Sequence, residues 1–364
     1  MTGFDLIVVG AGIVGAACAD YASAQGLKVA IVEPGTIGGG ASAAAMGHLV
    51  AVDGAPAELA LAHYSLGLWE AFADLPQAEF SRCGTLWVAG DEDDCARIPD
   101  KLARLAAAGV HGEALDARQL YELEPALRPG LGGGLLVASE AVVYPPGAAR
   151  YFVACAQRRG AQLYRHRASL ADGGVVLDDT TRLRGPVLVA TGGALPELLP
   201  MLPMRLRKGH LVITDRYPGV IHHQLLELHY ADSAHGDADA SVAFNVQPRP
   251  TGQLLIGSSR EFGQDGAEVS MPILRRMLER ALRFLPGLRE LQALRVWTGF
   301  RPDSLDGLPY IGRVPGRPGL WVAAGHEGLG VTTSLGTARL LVDQLLGRDP
   351  ALDPGPYDPA RAVA

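Results

Sequence analysis

The sequence predicts an α/β protein of two discontinuous domains, one on a parallel sheet and one an α+β unit on an antiparallel sheet. Three observations predict it. The first 33 residues run strand, glycine-rich turn, helix, strand and acid. A second strand, glycine-rich loop and helix stands at the far end, in "LWVAAGHEGLGVTTSLGTARLLVDQLLG". Between them, residues 206–265 carry short alternating strands such as "HLVITD", "SVAFNVQPRP" and "QLLIGSS", separated by turn residues. A chain of 364 residues is long enough for two cores.

The elements follow in order. Leu6 to Val9 is too short for a helix and β-branched enough for a buried parallel strand. Gly10 permits a tight turn, Gly12 lets the backbone approach a pyrophosphate, and Gly15 lets the next helix pack on the strand. Ile13 to Gln25 reads as that helix, with Gly26 as its left-handed stop. Leu27 to Val32 is a second strand, and Glu33 at its end can accept both ribose hydroxyls while repelling a 2′-phosphate. All five features fall within about 30 residues, as a Rossmann-like nucleotide-binding domain requires. They disfavour NADP but do not separate FAD from NAD.

The first block ends near residue 85. Helical stretches follow in "DDCARIPDKLARLAAAGV" and "ARQLYELEPAL", then a helix over about 147–158 and a buried strand in "GPVLVATGGAL". "MPILRRMLERALRFLPGL" is an amphipathic helix, apolar at Ile273, Leu274, Met277, Leu278, Ala281 and Leu282. The expected nucleotide-binding domain comprises residues 1–85, 140–205 and 295–364, and the substrate domain 86–139 and 206–294. The proline-rich tail "DPALDPGPYDPARAVA" is expected to run extended over the surface.

Bulk properties exclude several classes. The net charge of −7 argues against nucleic acid as a partner, and an anionic substrate would need a local cationic site. The charge-free stretch from Pro34 to Val52 is broken by glycines and makes a poor membrane span. The first apolar run is the nucleotide-binding unit itself, so no signal peptide is evident. Cys18, Cys83, Cys95 and Cys155 show no C-x-x-C pairing, which suggests reduced thiols in a cytoplasmic protein. His222, His223 and His229 lack a convincing metal geometry, and no metal is expected.

The C-terminal constellation bears on the cofactor. Leu320 to Ala324 is an apolar strand, "GHEGLG" the loop, and Thr332 or Thr333 can cap a helix running to Leu346, with Gly347 after it. NAD needs only one such loop. A flavin is longer, and a helix N-terminus near its pyrimidine end stabilises the anionic reduced ring. "IGGGASAAAMGHLV" supplies the stretch between, with Ser42 for a phosphate and small Ala43 to Ala45 where chain and cofactor run close. "VATGG" at 189–193 would close over the adenine half.

With these segments in view the chain resembles the D-amino acid oxidase superfamily, FAD enzymes that include glycine oxidase, sarcosine oxidase and D-amino acid dehydrogenases. The likeness spans nearly the whole chain. It rests on "VVGAGIVGAACADYASAQGLKVAIVE", "GGASAAAMGHL", "VLVATGG" and "TGFRPDSLDGLPYIG". Within the family, "GHEGLGVTTSLGTARLLVDQLLG" and the "YDPAR" tail are most similar to the amine-oxidising subunits of D-hydroxyproline dehydrogenase, hydrogen cyanide synthase and octopine oxidase. The resemblance implies Gly10, Ala11, Gly12, Ile13 and Val14 on the pyrophosphate, and Glu33 with Pro34 at the adenosine ribose. Ser42, Met46, Gly47, His48 and Leu49 would run along the flavin, with Thr191 and Gly192 in the third segment. Ala168 stands where the family usually has a valine whose backbone binds adenine. Gly325, His326, Glu327, Gly328, Gly330, Val331 and Thr332 would surround the pyrimidine end of the ring. Some relatives hold flavin through a cysteine near the C-terminal loop, and this chain has none after Cys155, so non-covalent FAD is expected.

Arg301 is the expected catalytic anchor. A guanidinium can hold an α-carboxylate by two parallel hydrogen bonds and so aim Cα–H at flavin N5. The alternative is a structural arginine paired with Asp303 or Asp306. His48 either faces the substrate or only hydrogen-bonds flavin or backbone. Tyr230 reads as a packed core tyrosine, Arg205 and Arg207 as solvated, and Lys208 is the next cation to test. No acid–base residue is required, since an amine bound in its neutral form can pass a hydride from Cα to flavin N5, giving an imine that water hydrolyses. The implied activity is oxidation of a small D-amino or imino acid, cis-4-hydroxy-D-proline or D-proline first. The alternatives are a glycine- or sarcosine-type oxidase using O2, or a subunit passing electrons to iron–sulfur or flavin partner subunits.

Overall fold

The computed structural model describes residues 2–52, 54–230, 240–263 and 266–363. A six-stranded sheet carries the N-terminal motif, in the order Tyr310–Arg313, Leu320–Ala324, Val187–Val189, Leu6–Val9, Val29–Val32 and Gln162–Tyr164. Only Tyr310–Arg313 is antiparallel to its neighbour. The inner strands are apolar end to end because both faces are covered. Helices Ile13–Ala24, Pro145–Arg158 and Ser334–Leu345 cover one face. A small four-stranded sheet, which includes Ala168–Ala171 and Gly174–Leu177, covers the other with Leu195, Leu199 and Leu202.

An eight-stranded, mostly antiparallel sheet forms the second layer system. It runs Ala293–Ser304, Met204–Arg216, Gln253–Glu261, Ala240–Pro248, Gln224–Glu227, Thr85–Ala89, Gly133–Val137 and Glu113–Asp116. Helix Met271–Phe284 packs on it through Ile273, Leu274, Met277, Ala281 and Phe284, with Phe284 stacked 4.3 Å from Phe244. The expected boundary at residue 295 falls inside strand Ala293–Ser304, which pairs with Met204–Arg216 along nearly all its length. Arg301 therefore belongs to this sheet although its motif borders the first one.

Other differences are local. The first helix stops at Ala24, Gly26 has φ +85°, and the next strand starts only at Val29, because residues 27 and 28 complete the turn. Thr333 does not cap the last helix by its side chain; its Oγ1 donates to the Leu329 carbonyl at 2.8 Å. The tail is not extended. It forms short helical turns at Gly355–Tyr357 and Pro359–Ala362, buries Tyr357, and donates the Tyr357 hydroxyl to the Ala57 carbonyl at 2.6 Å. Arg361 then pairs with Asp306 at 2.6 Å. No helix among the described residues is long and apolar enough to cross a membrane.

Candidate active site

One cavity of about 730 Å³ runs from the N-terminal glycines to the antiparallel sheet. At its first end the wall is backbone. Gly10 has φ +103°, and a Cβ there would lie 2.5 Å from the Ala190 carbonyl oxygen. At Gly15 a Cβ would lie 2.1 Å from the Gly10 carbonyl oxygen, so strand and helix meet only through glycine. Gly12 opens onto the cavity, with only Ser42 Oγ near a built Cβ, at 3.4 Å. Helix Ile13–Ala24 begins here with no acid in its first turn, which leaves its positive end for an anion. Ser42 does not simply await a phosphate, since its Oγ accepts the Ile13 N–H at 3.0 Å and its own hydrogen is left to donate. Glu33 closes this end, its carboxylate accepting from the Ala11 and Gly35 N–H groups at 2.9 and 2.8 Å. Across from it Thr191 and Gly192 line the wall, and the buried Thr191 Oγ1 has no hydrogen-bond partner among the described residues. Backbone donors, an unopposed dipole, an acid in the cavity wall and an unspent hydroxyl fit a dinucleotide such as FAD.

The middle of the cavity is a seam between the two sheets. Met46, Gly47 and His48 line it, and the Met46 carbonyl accepts from Gln247 Nε2 at 2.5 Å and Arg249 Nη1 at 3.5 Å. Gly47 has φ +87°, and a Cβ would lie 2.0 Å from the Val143 carbonyl oxygen. The loop Gly325–Val331 lines the opposite wall. Thr332 ties the two walls together: its Oγ1 donates to the His48 carbonyl at 3.0 Å and accepts from the Val50 N–H at 3.3 Å. The His326 ring lies 3.0 Å from Thr337 Oγ1, and burial lowers its pKa to about 4. Ala11, Leu49 and Thr332 stand behind the lining rather than in it, Pro34 is exposed beyond Glu33, and Ala168 opens strand Ala168–Ala171 outside the lining.

At the far end the wall is side chains. Arg301 lines the cavity and donates Nη1 to the Ser259 carbonyl at 3.0 Å. No carboxylate lies within 4 Å of it among the described residues. Asp303 is instead taken by Arg207 at 2.8 Å and Arg205 at 3.3 Å, and Asp306 by Arg361. Arg207 is thus not solvated but almost buried, at 11% side-chain exposure, whereas Arg205 is half exposed. Burial and then the Arg260 guanidinium lower the pKa of Arg301, while the Glu327 carboxylate acts the other way. Lys208 is buried and does not line the cavity.

Arg260, Glu327, Tyr230, Glu58 and Asn245 complete this end. Arg260, 7% exposed, lies 3.4 Å from Glu327 and against the Tyr230 ring, and all three line the cavity. Tyr230 packs in the core as expected yet also faces the cavity, with its hydroxyl 2.8 Å from Ser258 Oγ. Burial pushes Glu327 up, but Arg260, Arg301 and Arg207 hold its carboxyl below the ordinary value. Glu58, from the first turn of helix Pro56–Trp69, lines the wall with its pKa pushed up to about 7 by burial and then by Glu327. Asn245 stands beside His48. Sequence reasoning missed Arg260, Asn245 and Glu58, which lie in no motif. His223 and His229 are occupied by Glu124 at 2.8 Å and Asp94 at 2.5 Å, and no metal-holding cluster occurs among the described residues.

The comparisons with known proteins agree with this geometry. The chain is 32% identical to glycine oxidase of Pseudomonas aeruginosa, over 98% of this chain and 98% of that protein. It is 27% identical to hydrogen cyanide synthase subunit HcnC of the same organism, over 98% and 96%. The crystal structure of glycine oxidase from Geobacillus kaustophilus superposes with a TM-score of 0.87 at 27% identity, covering 98% of both chains. The family model for DAO, FAD dependent oxidoreductase, matches residues 5–344. The match takes in both the backbone cradle and the strand that carries Arg301, and the chain belongs to the DAO family of FAD-dependent oxidoreductases.

Proposed function

We propose that this protein oxidises the C–N bond of a small amino or imino acid, with the substrate α-carboxylate held by Arg301. The observation that carries the reading is a half-buried guanidinium facing the cavity with no carboxylate within 4 Å among the described residues. When bound, FAD supplies the acceptor for the electron pair that leaves Cα–H. The protein's part is placement and exclusion of water: Arg301 grips one end of the substrate, while Tyr230, Met46 and Leu211 keep the surroundings dry. D-Proline and its derivative cis-4-hydroxy-D-proline are the narrower reading, supported by the likeness of "GHEGLGVTTS" to the dehydrogenase subunits. A glycine- or sarcosine-type oxidase is the second reading, supported by glycine oxidases that match along 98% of the chain.

An anaerobic screen of flavin reduction over D-amino acids, D-proline, cis-4-hydroxy-D-proline, glycine and sarcosine tests this. Reduction by at least one of them is expected, and failure of every amino and imino acid would sink the proposal. Reoxidation by air slower than turnover with an artificial dye is expected of a dehydrogenase that passes electrons to partner subunits, as the subunit relationship to HcnC supports. Air reoxidation that keeps pace with the dye selects the oxidase reading. None of the four cysteines lines the cavity, so acid precipitation should release FAD into the supernatant.

A further inference from the structure

An arginine that fixes a carboxylate leaves the substrate free to swing about that end. A second contact must fix the nitrogen. The ammonium form of an amino acid has no lone pair with which to form an imine, so the competent form is the uncharged amine, which still carries an N–H donor. The group that recognises it must be an acceptor.

His48 and Asn245 both line the cavity, on different elements. His48 opens the two-residue strand His48–Leu49, and Asn245, 1% exposed, lies on strand Ala240–Pro248 of the large sheet. Asn245 Oδ1 is 3.2 Å from His48 Nε2. An amide oxygen can only accept, so Nε2 carries the hydrogen and Nδ1 of a neutral ring carries the lone pair. Among the described residues nothing hydrogen-bonds to Nδ1, and His48 lines the cavity and is only half-buried. The groups facing the ring oppose a second proton. Arg301 from strand Ala293–Ser304 and Arg249 just after strand Ala240–Pro248 are both cationic, and the large-sheet partner Asn245 is neutral. Burial first, and then these two guanidiniums, bring the His48 pKa down to about 4, against which the Asn245 bond acts only in part.

We propose that Asn245 is a positioning residue that presents His48 Nδ1 as an acceptor, and that this nitrogen takes the N–H of the substrate's uncharged amine while Arg301 holds its carboxylate. The proposal rests on the amino-acid reading above. The substrate ammonium loses its proton to solvent before binding, and His48 keeps its own proton on Nε2 throughout. A neutral secondary amine has a single N–H, so an imino acid satisfies the acceptor and keeps its lone pair directed away from it.

Asn245→Asp tests the assignment, because it preserves shape and replaces a neutral partner by an anion that favours the imidazolium. An opposite charge at this distance raises a pKa by about 1–3 units, which would put His48 at roughly 5–7. Anaerobic flavin reduction by D-proline should then show an added acid limb in the variant, about tenfold below wild type at the acid end, with the gap closing as pH rises. Wild type should follow only the ionisation of the substrate amine. Binding gives a readout apart from activity: cyclopentanecarboxylate, which has no amine, should bind the variant more tightly as pH falls, followed by the flavin absorbance change. Asn245→Leu removes the lock without adding charge and should lower the reduction rate by a similar factor at every pH. Profiles for both variants that superimpose on wild type would overturn the proposal, as would tighter binding of the amine-free acid to wild type than of D-proline at high pH. If no amino acid reduces the wild-type flavin at any pH, the functional reading fails instead, and that outcome is separately visible.

Discussion

The two ends of the cavity offer donors to an anion by opposite means. At the nucleotide end the donors are backbone N–H groups at the start of helix Ile13–Ala24, brought close by Gly10, Gly12 and Gly15. At the substrate end the donor is a side chain, Arg301, set among Arg260, Glu327 and Tyr230 from separate stretches of chain. A backbone site can be lost only by changing shape, whereas a side-chain site can be lost by changing one group. Substitutions at the two ends should therefore separate cofactor retention from turnover.

The largest effect is expected at the substrate end. Arg301→Met should nearly abolish flavin reduction with FAD still bound, because the carboxylate would enter a dry site unpaired. Truncating one partner of such a pair costs about 2–5 kcal/mol, roughly thirty- to several-thousandfold in rate. Wild type should strongly prefer D-proline to pyrrolidine, and the variant should lose that preference. If discrimination persists, another cation anchors the carboxylate, and Arg260 in the wall replaces the buried Lys208 as the one to test.

Glu33→Ala should do the converse, weakening FAD retention without altering substrate preference. Its carboxylate accepts from the Ala11 and Gly35 N–H groups, and in the proposed site it would meet the adenosine ribose as well. A lost charge-assisted bond is worth roughly 1.5–3 kcal/mol, about ten- to hundredfold in affinity. Equilibrium dialysis of FAD showing no change would remove Glu33 from the site.

Thr332→Val probes the seam that joins the ends. Loss of the hydroxyl leaves the buried Val50 N–H unpaired and frees the His48 carbonyl, a cost of about 1–2 kcal/mol. Thermal melting should drop by a few degrees and reduction should slow, with FAD retained; an unchanged melting curve would show that the seam is held elsewhere.

Glu58 gives the smallest effect, and its sign follows from burial. Its pKa rises from 4.5 to about 7 on folding, so the folded chain binds the proton more tightly than the unfolded chain. The stability this contributes is full below the unfolded value and is lost as pH rises through about 7. Glu58→Gln stays uncharged, and its unfolding free energy should gain on wild type across that window, by on the order of 1 kcal/mol after solvent screening, as followed by thermal melting. A constant difference at all pH values would mean that Glu58 titrates normally.

The same contrast explains what could be read beforehand. Backbone sites demand particular residues at fixed spacing, so strand, glycines, helix and Glu33 were legible, and so was the loop Gly325–Val331. Arg301 was legible through the resemblance carried by "TGFRPDSLDGLPYIG", though not as an edge-strand residue of the larger sheet. Arg260, Asn245 and Glu58 were not, because a side chain on a strand or helix enters a site by tertiary packing, which leaves no local pattern. Arg207 looked solvated in "RLRKGH" because the partner that buries it, Asp303, lies far along the chain. Proline composition misled for the tail, where Tyr357 and Arg361 find partners at Ala57 and Asp306.

The order of strands in the six-stranded sheet also governs how the protein is made. Val187–Val189 sits between Leu6–Val9 and Leu320–Ala324, so the first strand off the ribosome waits for a neighbour synthesised midway, and that neighbour waits for one near the end. At ordinary rates of synthesis the wait is on the order of tens of seconds, with apolar edges unpaired and open to aggregation. The N-terminal half of the cradle is thus born long before the loop that faces it across the cavity. A cofactor that touches both halves can be held in full only once the second is made, and since it binds the folded chain alone, its shortage is expected to lower the population of folded protein.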